Sequence, residues 1–198
     1  MLVDTEAQRN FFCQQFGLAK NKVRWLYMGA DETVFIPRSE PAGANPLRVL
    51  YVGNYVPLHG VAIILQAARL LDREDIEIWL IGENHREDTL LESLFTEANP
   101  ERVKRLPWMA PADLHARLCA ADICLGIFGT SGKAKRVIPG KAFLALAMGK
   151  PLITGDSPAA RELLQDGKTA LLCEMGNSQA LADAILRLKK DSELRQVI

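Results

Sequence analysis

The sequence predicts an α/β fold in which helices cover both faces of a doubly wound parallel sheet. From residue 47 onward, short β-branched and apolar runs alternate with longer segments of helical periodicity. This alternation is typical of parallel strands that are joined by helices. The chain has 198 residues, 48% of them hydrophobic, so it can bury a core without a metal or a disulfide. A Rossmann-like domain of about 150 residues fits this region.

Six strands are predicted in this region. The first, RVLYVG, ends in a glycine and leads into a turn, and the second, IEIWLIG, has the same form. Val, Ile and Leu dominate most of these segments, as expected for strands that helices cover on both faces. In chain order, the six predicted strands lie at 48–53, 76–82, 103–108, 121–128, 151–154 and 170–173.

The segments between the strands carry helix signals. In SPAARELL, Ser157 is a good cap and Pro158 suits the first helical position. The last segment is amphipathic, and its helical pattern continues to Ile198. The other predicted helices are VAIILQAARLL, EDTLLESLFTEA, PADLHARLCA and KAFLALAM.

The first 46 residues do not continue this pattern. They comprise a capped helix, TEAQRNFFCQQF, that Gly17 ends, a lone strand, KVRWLY, and a polar stretch with three prolines at 29–46. Such a stretch is typical of a linker between domains. We therefore expect residues 1–46 to be the tail of another domain plus a hinge, and 47–198 to be a domain. The chain is then a fragment of a longer protein.

Composition excludes several classes of protein. The 24 basic residues balance the 24 acidic ones, so no overall charge favours a nucleic acid or an anionic membrane as partner. No apolar run approaches the roughly 18 residues of a membrane span. The four cysteines lack the spacing of a metal site and are expected to be reduced core thiols. With no signal peptide at the N-terminus, we expect a cytoplasmic protein.

The turn after the first strand, GNYVPLHG, is one candidate binding site. Ligands of open parallel sheets bind beyond the carboxyl ends of the strands. Gly53 and Gly60 allow a close approach of the backbone, and the helix that follows offers unpaired N–H groups to an anion. His59 would face the same anion, although a lone histidine is more often a packed or surface residue. His85 and His115 lack such a setting and are expected at the surface.

The second candidate is the basic loop GTSGKAKRVIPGK at 129–141. No acidic residue occurs between Asp122 and Asp156, whereas five cations do. Pro139 and Gly140 introduce the next helix, so backbone N–H groups and a lysine share its first turn. A bound phosphate would stabilise that arrangement. The alternative is an ordinary solvated basic loop. The five cations are Lys133, Lys135, Arg136, Lys141 and Lys150.

Three segments together resemble the carboxy-terminal half of a family 4, or group 1, glycosyltransferase of the GT-B fold. They are KVRWLYMGADETVFIP, RVLYVGNYVPLHGVAIILQAARLL and IPGKAFLALAMGKPLITGDSPAARELLQDGKTALL. The resemblance covers nearly the whole chain from about residue 4. It implies a retaining enzyme with two facing Rossmann-like domains, of which this is the nucleotide-sugar donor domain. The acceptor would bind to a preceding domain.

The resemblance also implies roles for residues at matching positions. Gly53 matches the glycine after the first strand of the donor domain, and Asn54 and His59 replace the family's Arg and Lys on the donor diphosphate. Trp108 and Met109 stand where the main chain of the family contacts the nucleobase. Further residues with an expected donor-binding role are Gly60, Lys133, Arg136, Gly140 and Glu162.

The chain departs from the family at two carboxylates. The family's paired glutamates would fall at Arg136 and Leu144, so neither carboxylate is present. The Ile-Pro-Gly-Lys sequence resembles a branch in which a lysine early in this helix contacts the anion. We therefore expect Lys141 and His59 to act on the diphosphate leaving group.

These observations support three hypotheses about function. The first is a glycosyltransferase that transfers a sugar from a nucleotide diphosphate sugar, with no bound cofactor or metal, since no Asp-x-Asp occurs. The second is a sugar-nucleotide epimerase of similar fold, and the third is a nucleotide-binding module that has lost activity. We expect the 198 residues alone to be inactive in transfer, and a diphosphate beside His59 to raise its pKa.

Overall fold

The computed structural model describes residues 1–38, 45–83 and 88–198. Within these, six parallel strands form one sheet in the order β5-β4-β3-β6-β7-β8. The doubly wound prediction is thereby confirmed, because β3 and β6 are neighbours at the centre and the chain winds outward from them in both directions. The six strands are β3 (Leu47–Val52), β4 (Ile76–Ile81), β5 (Val103–Leu106), β6 (Ile123–Leu125), β7 (Leu152–Gly155) and β8 (Leu171–Cys173).

Seven α-helices and one short 3-10 helix (Ala134–Arg136) accompany this sheet in the described part of the chain after residue 45. Asp191 separates the last two, so the helical pattern at the end of the sequence forms two helices. The Ser157 hydroxyl accepts from the Ala160 N–H at 3.0 Å, as expected of a capping serine. The helix there nevertheless begins only at Ala160, with Ala159 as its N-cap, and has four residues, so Pro158 is not its first residue as predicted. The seven helices are α2 (Val61–Leu70), α3 (Thr89–Glu97), α4 (Pro111–Ala120), α5 (Gly140–Ala147), α6 (Ala160–Leu163), α7 (Ser178–Lys190) and α8 (Ser192–Val197).

Two apolar clusters cover the two faces of the sheet. Alternate residues of β3 enter opposite clusters: Val49 and Tyr51 pack with α2, α3 and α7, whereas Leu50 and Val52 pack with α4, α5 and α6. The cause is the two-residue period of side chains along a strand. The sheet is therefore buried on both faces, as its near-continuous apolar strands predict.

The first 38 residues form a small module that packs on this domain. Helix α1 (Glu6–Phe16) begins at the N-cap Thr5 and ends at Gly17, which has a left-handed backbone, as predicted. The strand predicted within KVRWLY forms as β2 (Arg24–Trp25) and pairs in parallel with β1 (Leu2–Val3), so it is not alone. The division of the chain at residue 46 stays a prediction.

The prediction for His115 is wrong. Its side chain is buried, and its Nε2 lies 2.8 Å from the Ile36 carbonyl oxygen. The early part of the stretch at 29–46 therefore contacts α4, whereas residues 39–44 and His85 lie outside the described residues. All four cysteines are free, and all except Cys13 are buried. Within the described chain, no helix is both long and apolar enough to cross a membrane.

Candidate functional site

The turn after β3 lies at the carboxyl ends of the central strands. The Gly53 N–H donates to the Ile81 carbonyl at 2.9 Å and extends the pairing of β3 with β4. A Cβ on Gly82 would lie 2.2 Å from the Gly53 carbonyl oxygen, so only a glycine fits after β4. The two strand ends therefore meet closely at the edge where ligands of such sheets bind.

Lys141, in the first turn of α5, lies directly against this turn. Its Nζ is 4.0 Å from the centre of the Tyr51 ring, and a Cβ on Gly53 would lie 2.8 Å from it. The Nζ is buried and has no hydrogen-bond partner within the described residues. Burial lowers the pKa of the Lys141 ammonium well below its usual value. A buried cation without a partner is costly, and a bound anion would relieve that cost.

His59 also contacts Tyr51. Its Nδ1 is 2.6 Å from the Asn54 carbonyl oxygen and 2.9 Å from the Tyr51 hydroxyl. Because a carbonyl oxygen only accepts, Nδ1 donates, and the neutral ring leaves Nε2 as an acceptor. Burial, together with the charge of Lys141, lowers the pKa of His59 to about 4. His59 therefore does not start from the ordinary value near about 6.5 and needs a proton before Nε2 can donate to an anion.

Two helices begin at this site without a side-chain cap. Gly60 is the N-cap of α2 and Pro139 that of α5, and neither has a side chain that accepts from the helix. Gly140 is the first residue of α5. Unpaired N–H groups at a helix start, together with the helix dipole, favour an anion.

The absence of a side chain at Gly60 is required by packing. Gly60 has a left-handed backbone with φ of 71°, and a Cβ there would lie 2.7 Å from the Gly129 nitrogen. The His59 carbonyl accepts from the Phe128 N–H at 3.0 Å. The turn after β3 is thus held against the chain that follows β6, and the expected contact of Gly60 with a ligand stays a prediction.

Arg136 lies against α1 and not against the turn after β3. Its Nε donates to the Gln8 side chain at 3.0 Å, and its guanidinium lies 3.6 Å from the centre of the Phe11 ring. The Thr5 hydroxyl donates to the Arg136 carbonyl. In this structure the Arg136 side chain therefore contacts α1, and its expected role in donor binding stays a prediction.

Glu162 also turns to α1. Its two carboxylate oxygens accept from the backbone N–H groups of Glu6 and Ala7, at 2.8 and 2.7 Å, and from the Tyr27 hydroxyl at 3.2 Å. A carboxylate at a helix start is favoured by the unpaired N–H groups there. Both carboxylate oxygens therefore have protein partners, and the expected donor contact of Glu162 stays a prediction.

The five cations between Asp122 and Asp156 do not form one patch. Lys133 and Lys135 are exposed in the turn before Arg136. The Lys150 Nζ donates to the carbonyls of Cys119 and Ala121, at 2.6 and 2.9 Å, and so is structural. Only Lys141 lies against Tyr51 and Gly53. For Lys133 and Lys135, the solvated-loop alternative therefore describes the structure better than an anion cluster.

The residues expected near the nucleobase lie farther along the sheet than Gly53. Trp108 is exposed and Met109 half-buried after β5, with β4 between that strand and β3. Leu144, at the position expected to contact the ribose, lies in α5, the helix of Lys141. It is half-buried and packs against the cluster of Leu50 and Val52.

The sequence did not indicate Tyr51 as a site residue. It sits inside an apolar strand and is completely buried. Its hydroxyl nevertheless donates to the Asn54 carbonyl at 3.0 Å. The signal that could have identified it is a tyrosine hydroxyl two positions before the turn glycine. This signal is weak, because buried tyrosines are common in protein cores.

We refer to Gly53, His59 and Lys141, with the starts of α2 and α5, as the anion site. Among the described residues, the anion site brings together a cation, a potential cation and the N–H donors of two helix starts. Such an arrangement can bind a phosphate and stabilise negative charge on it.

The chain matches a family described as "Glycosyl transferases group 1" over residues 46–191. It is 27% identical over 179 residues to the "Putative colanic acid biosynthesis glycosyltransferase WcaL" of Escherichia coli K12. That alignment covers 87% of this chain and 43% of the relative. The chain therefore spans less than half the length of this relative.

Solved structures share the fold. HepE of Anabaena in complex with UDP-glucose superposes with a TM-score of 0.83 at 21% identity, covering 99% of this chain and 55% of that protein. Sucrose-phosphate synthase from Thermosynechococcus elongatus superposes with a TM-score of 0.81 at 20% identity, covering 99% and 50%. The chain matches one half of these GT-B structures, and by its sequence it belongs to the group 1 glycosyltransferases.

Proposed function

We propose that this chain is the donor-binding portion of a retaining glycosyltransferase that takes a sugar from a nucleotide diphosphate sugar. The observation that carries the proposal is the buried Lys141 Nζ, which lacks a hydrogen-bond partner in the described structure and lies beside Gly53 at the end of β3. An unpaired buried polar group calls for an explanation, and a bound ion or ligand is one. Arg9 Nε and Arg48 Nε are also unpaired among the residues described, but Lys141 differs from them in lying beside Gly53 at the end of β3. A diphosphate supplies the missing negative charge.

The chemical role of the anion site is to stabilise the leaving group. As the bond between sugar and diphosphate breaks, negative charge grows on the β-phosphate. Lys141 and the N–H groups at the start of α5 would stabilise that charge more in the transition state than in the ground state. A protonated His59 would donate from Nε2. The acceptor and its binding groups would come from a preceding domain, and we expect these residues alone not to transfer sugar.

The relatives support the class of substrate. The HepE structure is a complex with UDP-glucose, and WcaL is described as a glycosyltransferase. Membership of group 1 favours transfer over the epimerase alternative. Experiment must distinguish the proposed enzyme from a nucleotide-binding module that has lost activity. That alternative arises because Leu144 stands where the family has a ribose-binding carboxylate.

The proposal is tested by titrating the chain with UDP, GDP and ADP in a calorimeter. We expect at least one of them to bind, and Lys141→Met to weaken that binding by about 100-fold, since charged hydrogen bonds are lost. Lys168→Met removes an exposed cation elsewhere and should leave the affinity unchanged. If none of the three nucleotides bound, the degenerate module would be favoured and the proposal would be wrong. Binding that survived Lys141→Met would also contradict it.

A further inference from the structure

We propose that Tyr51 is the positioning residue of the anion site, holding His59 with its hydroxyl and Lys141 with its ring. The inference rests on the proposed function and extends it, because nothing in the sequence pattern assigns a role to this side chain. It would not touch the sugar or the reacting atoms. Its effect on a diphosphate would act through the two neighbouring side chains.

Tyr51 is well placed to hold other groups in position. Its backbone lies in the central strand β3, paired with Leu80 of β4 on one side and Leu125 of β6 on the other. The side chain has no exposed surface. A side chain packed in this way has few alternative rotamers, so the hydroxyl and the ring face stay in fixed positions.

The hydroxyl sets the state of His59. It donates to the Asn54 carbonyl at 3.0 Å, while His59 Nδ1 donates to the same oxygen at 2.6 Å and lies 2.9 Å from the hydroxyl. The three groups form a closed triangle. Because the hydroxyl proton goes to the Asn54 carbonyl, the hydroxyl oxygen can accept from Nδ1–H together with that carbonyl. Two acceptors favour a proton on Nδ1 and leave Nε2 as the atom that gains or loses a proton when an anion binds.

The ring holds the ammonium of Lys141. The Nζ lies 4.0 Å from the ring centre, within the range of a cation–π contact. A Cβ on Gly53 would lie 2.8 Å from this Nζ and 3.2 Å from the Tyr51 hydroxyl, so a larger residue would separate the two side chains from the turn. The ring attracts the ammonium less strongly than a carboxylate counter-ion would, so the ammonium stays available to a phosphate.

Among the described residues, Lys141 and Tyr55 are the titratable neighbours that affect this cluster. Burial and the charge of Lys141 lower the pKa of His59, and burial together with Tyr55 raises the pKa of Tyr51. The Tyr55 ring centre lies 6.3 Å from that of Tyr51, but its hydroxyl donates to the Leu80 carbonyl at 2.9 Å. Tyr55 is therefore a buried tyrosine of the same turn that does not contact His59 or Lys141 through its hydroxyl.

This pair of tyrosines gives a matched experiment. Tyr51→Phe and Tyr55→Phe each delete one buried hydroxyl that bonds a carbonyl, and thermal melts confirm that both variants fold. UDP, GDP and ADP affinities are measured by calorimetry, and the protonation of His59 by ¹⁵N NMR as a function of pH. We expect Tyr51→Phe to weaken nucleotide binding by about tenfold, as for one lost hydrogen bond to a site residue. It should also lower the proportion of the Nδ1–H form.

Tyr55→Phe should change neither readout. Tyr51→Leu, which also removes the ring, should weaken binding further than Tyr51→Phe. Equal effects of the two phenylalanine variants, or a His59 signal unchanged in Tyr51→Phe, would overturn the positioning role. If the unmodified chain bound none of the nucleotides, the proposed function would fail as well. Nucleotide binding that Tyr51→Phe left intact would overturn this inference alone.

Discussion

Two regions of the molecule use similar polar residues in opposite ways. In the α1 contact, formed by Arg136 and Glu162 with the start of α1, the carboxylate of Glu162 has three protein donors. In the anion site, Lys141 Nζ is buried and has no hydrogen-bond partner among the described residues, as is also true of Arg9 Nε and Arg48 Nε. Buried polar groups are normally paired, so the carboxylate of Glu162 is satisfied by the protein, whereas the Lys141 ammonium would be paired by an anion.

The largest expected effect on stability comes from removing the carboxylate of Glu162, which tests whether the α1 contact is purely structural. We expect Glu162→Ala to lower the free energy of unfolding by about 3 kcal/mol, since two backbone N–H groups and a hydroxyl lose a charged acceptor. Nucleotide affinity should stay within about twofold of the original. Chemical denaturation and calorimetry measure the two effects.

A Glu162→Gln variant is the matched control for Glu162→Ala. Its amide keeps one acceptor oxygen, so the loss of stability should be smaller. A strong loss of nucleotide affinity in either variant, with the fold intact, would show that the α1 contact and the anion site are not independent.

Adding a methyl group at Gly53 tests the other region, the anion site. Gly53 has φ of 144°, and the new Cβ would meet Lys141 Nζ at 2.8 Å. We expect Gly53→Ala to lower stability by about 2 kcal/mol through backbone strain and to weaken nucleotide binding by about tenfold.

Gly17→Ala is the control for strain alone. Gly17 also has a positive φ, of 61°, but nothing lies within 4 Å of its added Cβ. This variant should lose about 1 kcal/mol and keep its affinity for nucleotide. Similar affinities for the two alanine variants would mean that the contact between Gly53 and Lys141 has no part in binding.

The smallest expected effect concerns acid stability. The pKa of His59 is about 4 in the folded chain, lowered by burial and by Lys141, and about 6.5 in an unfolded one. Between these values the unfolded chain binds more protons, so stability is full above about pH 6.5 and falls as the pH drops towards 4. His59→Gln should remove about 1 kcal/mol of this fall, a value reduced for partial exposure.

Melting temperatures of both proteins between pH 4.5 and pH 7, roughly the span of the two pKa values, measure this difference. The difference in melting temperature between the original chain and His59→Gln should be smaller near pH 4.5 than near pH 7, the span of the two pKa values being roughly 4 to 6.5. Parallel curves over the whole range would contradict the lowered pKa of His59. They would also weaken the argument that His59 and Lys141 share one site.

The sequence predicted much of the candidate site because its signals are local. The glycine after a strand, the proline and glycine before a helix, and a lysine in that helix are read from neighbouring residues. His59 and Lys141 were selected in this way, and the structure places both against Tyr51. The same local reasoning could not separate Lys141 from Arg136, because both follow the same loop and carry the same charge.

The sequence by itself determined the doubly wound sheet, since the alternation of apolar runs and helical patterns leaves few other ways to bury both faces. It also determined the cap of α1 at Thr5 and its end at Gly17. Only the tertiary structure decided which polar groups find partners. Arg136 and Glu162 contact α1, which lies more than a hundred residues away along the chain. Lys141 instead contacts the ring of Tyr51 and lies beside Gly53. Partnering depends on distances between elements, and no local pattern encodes those distances.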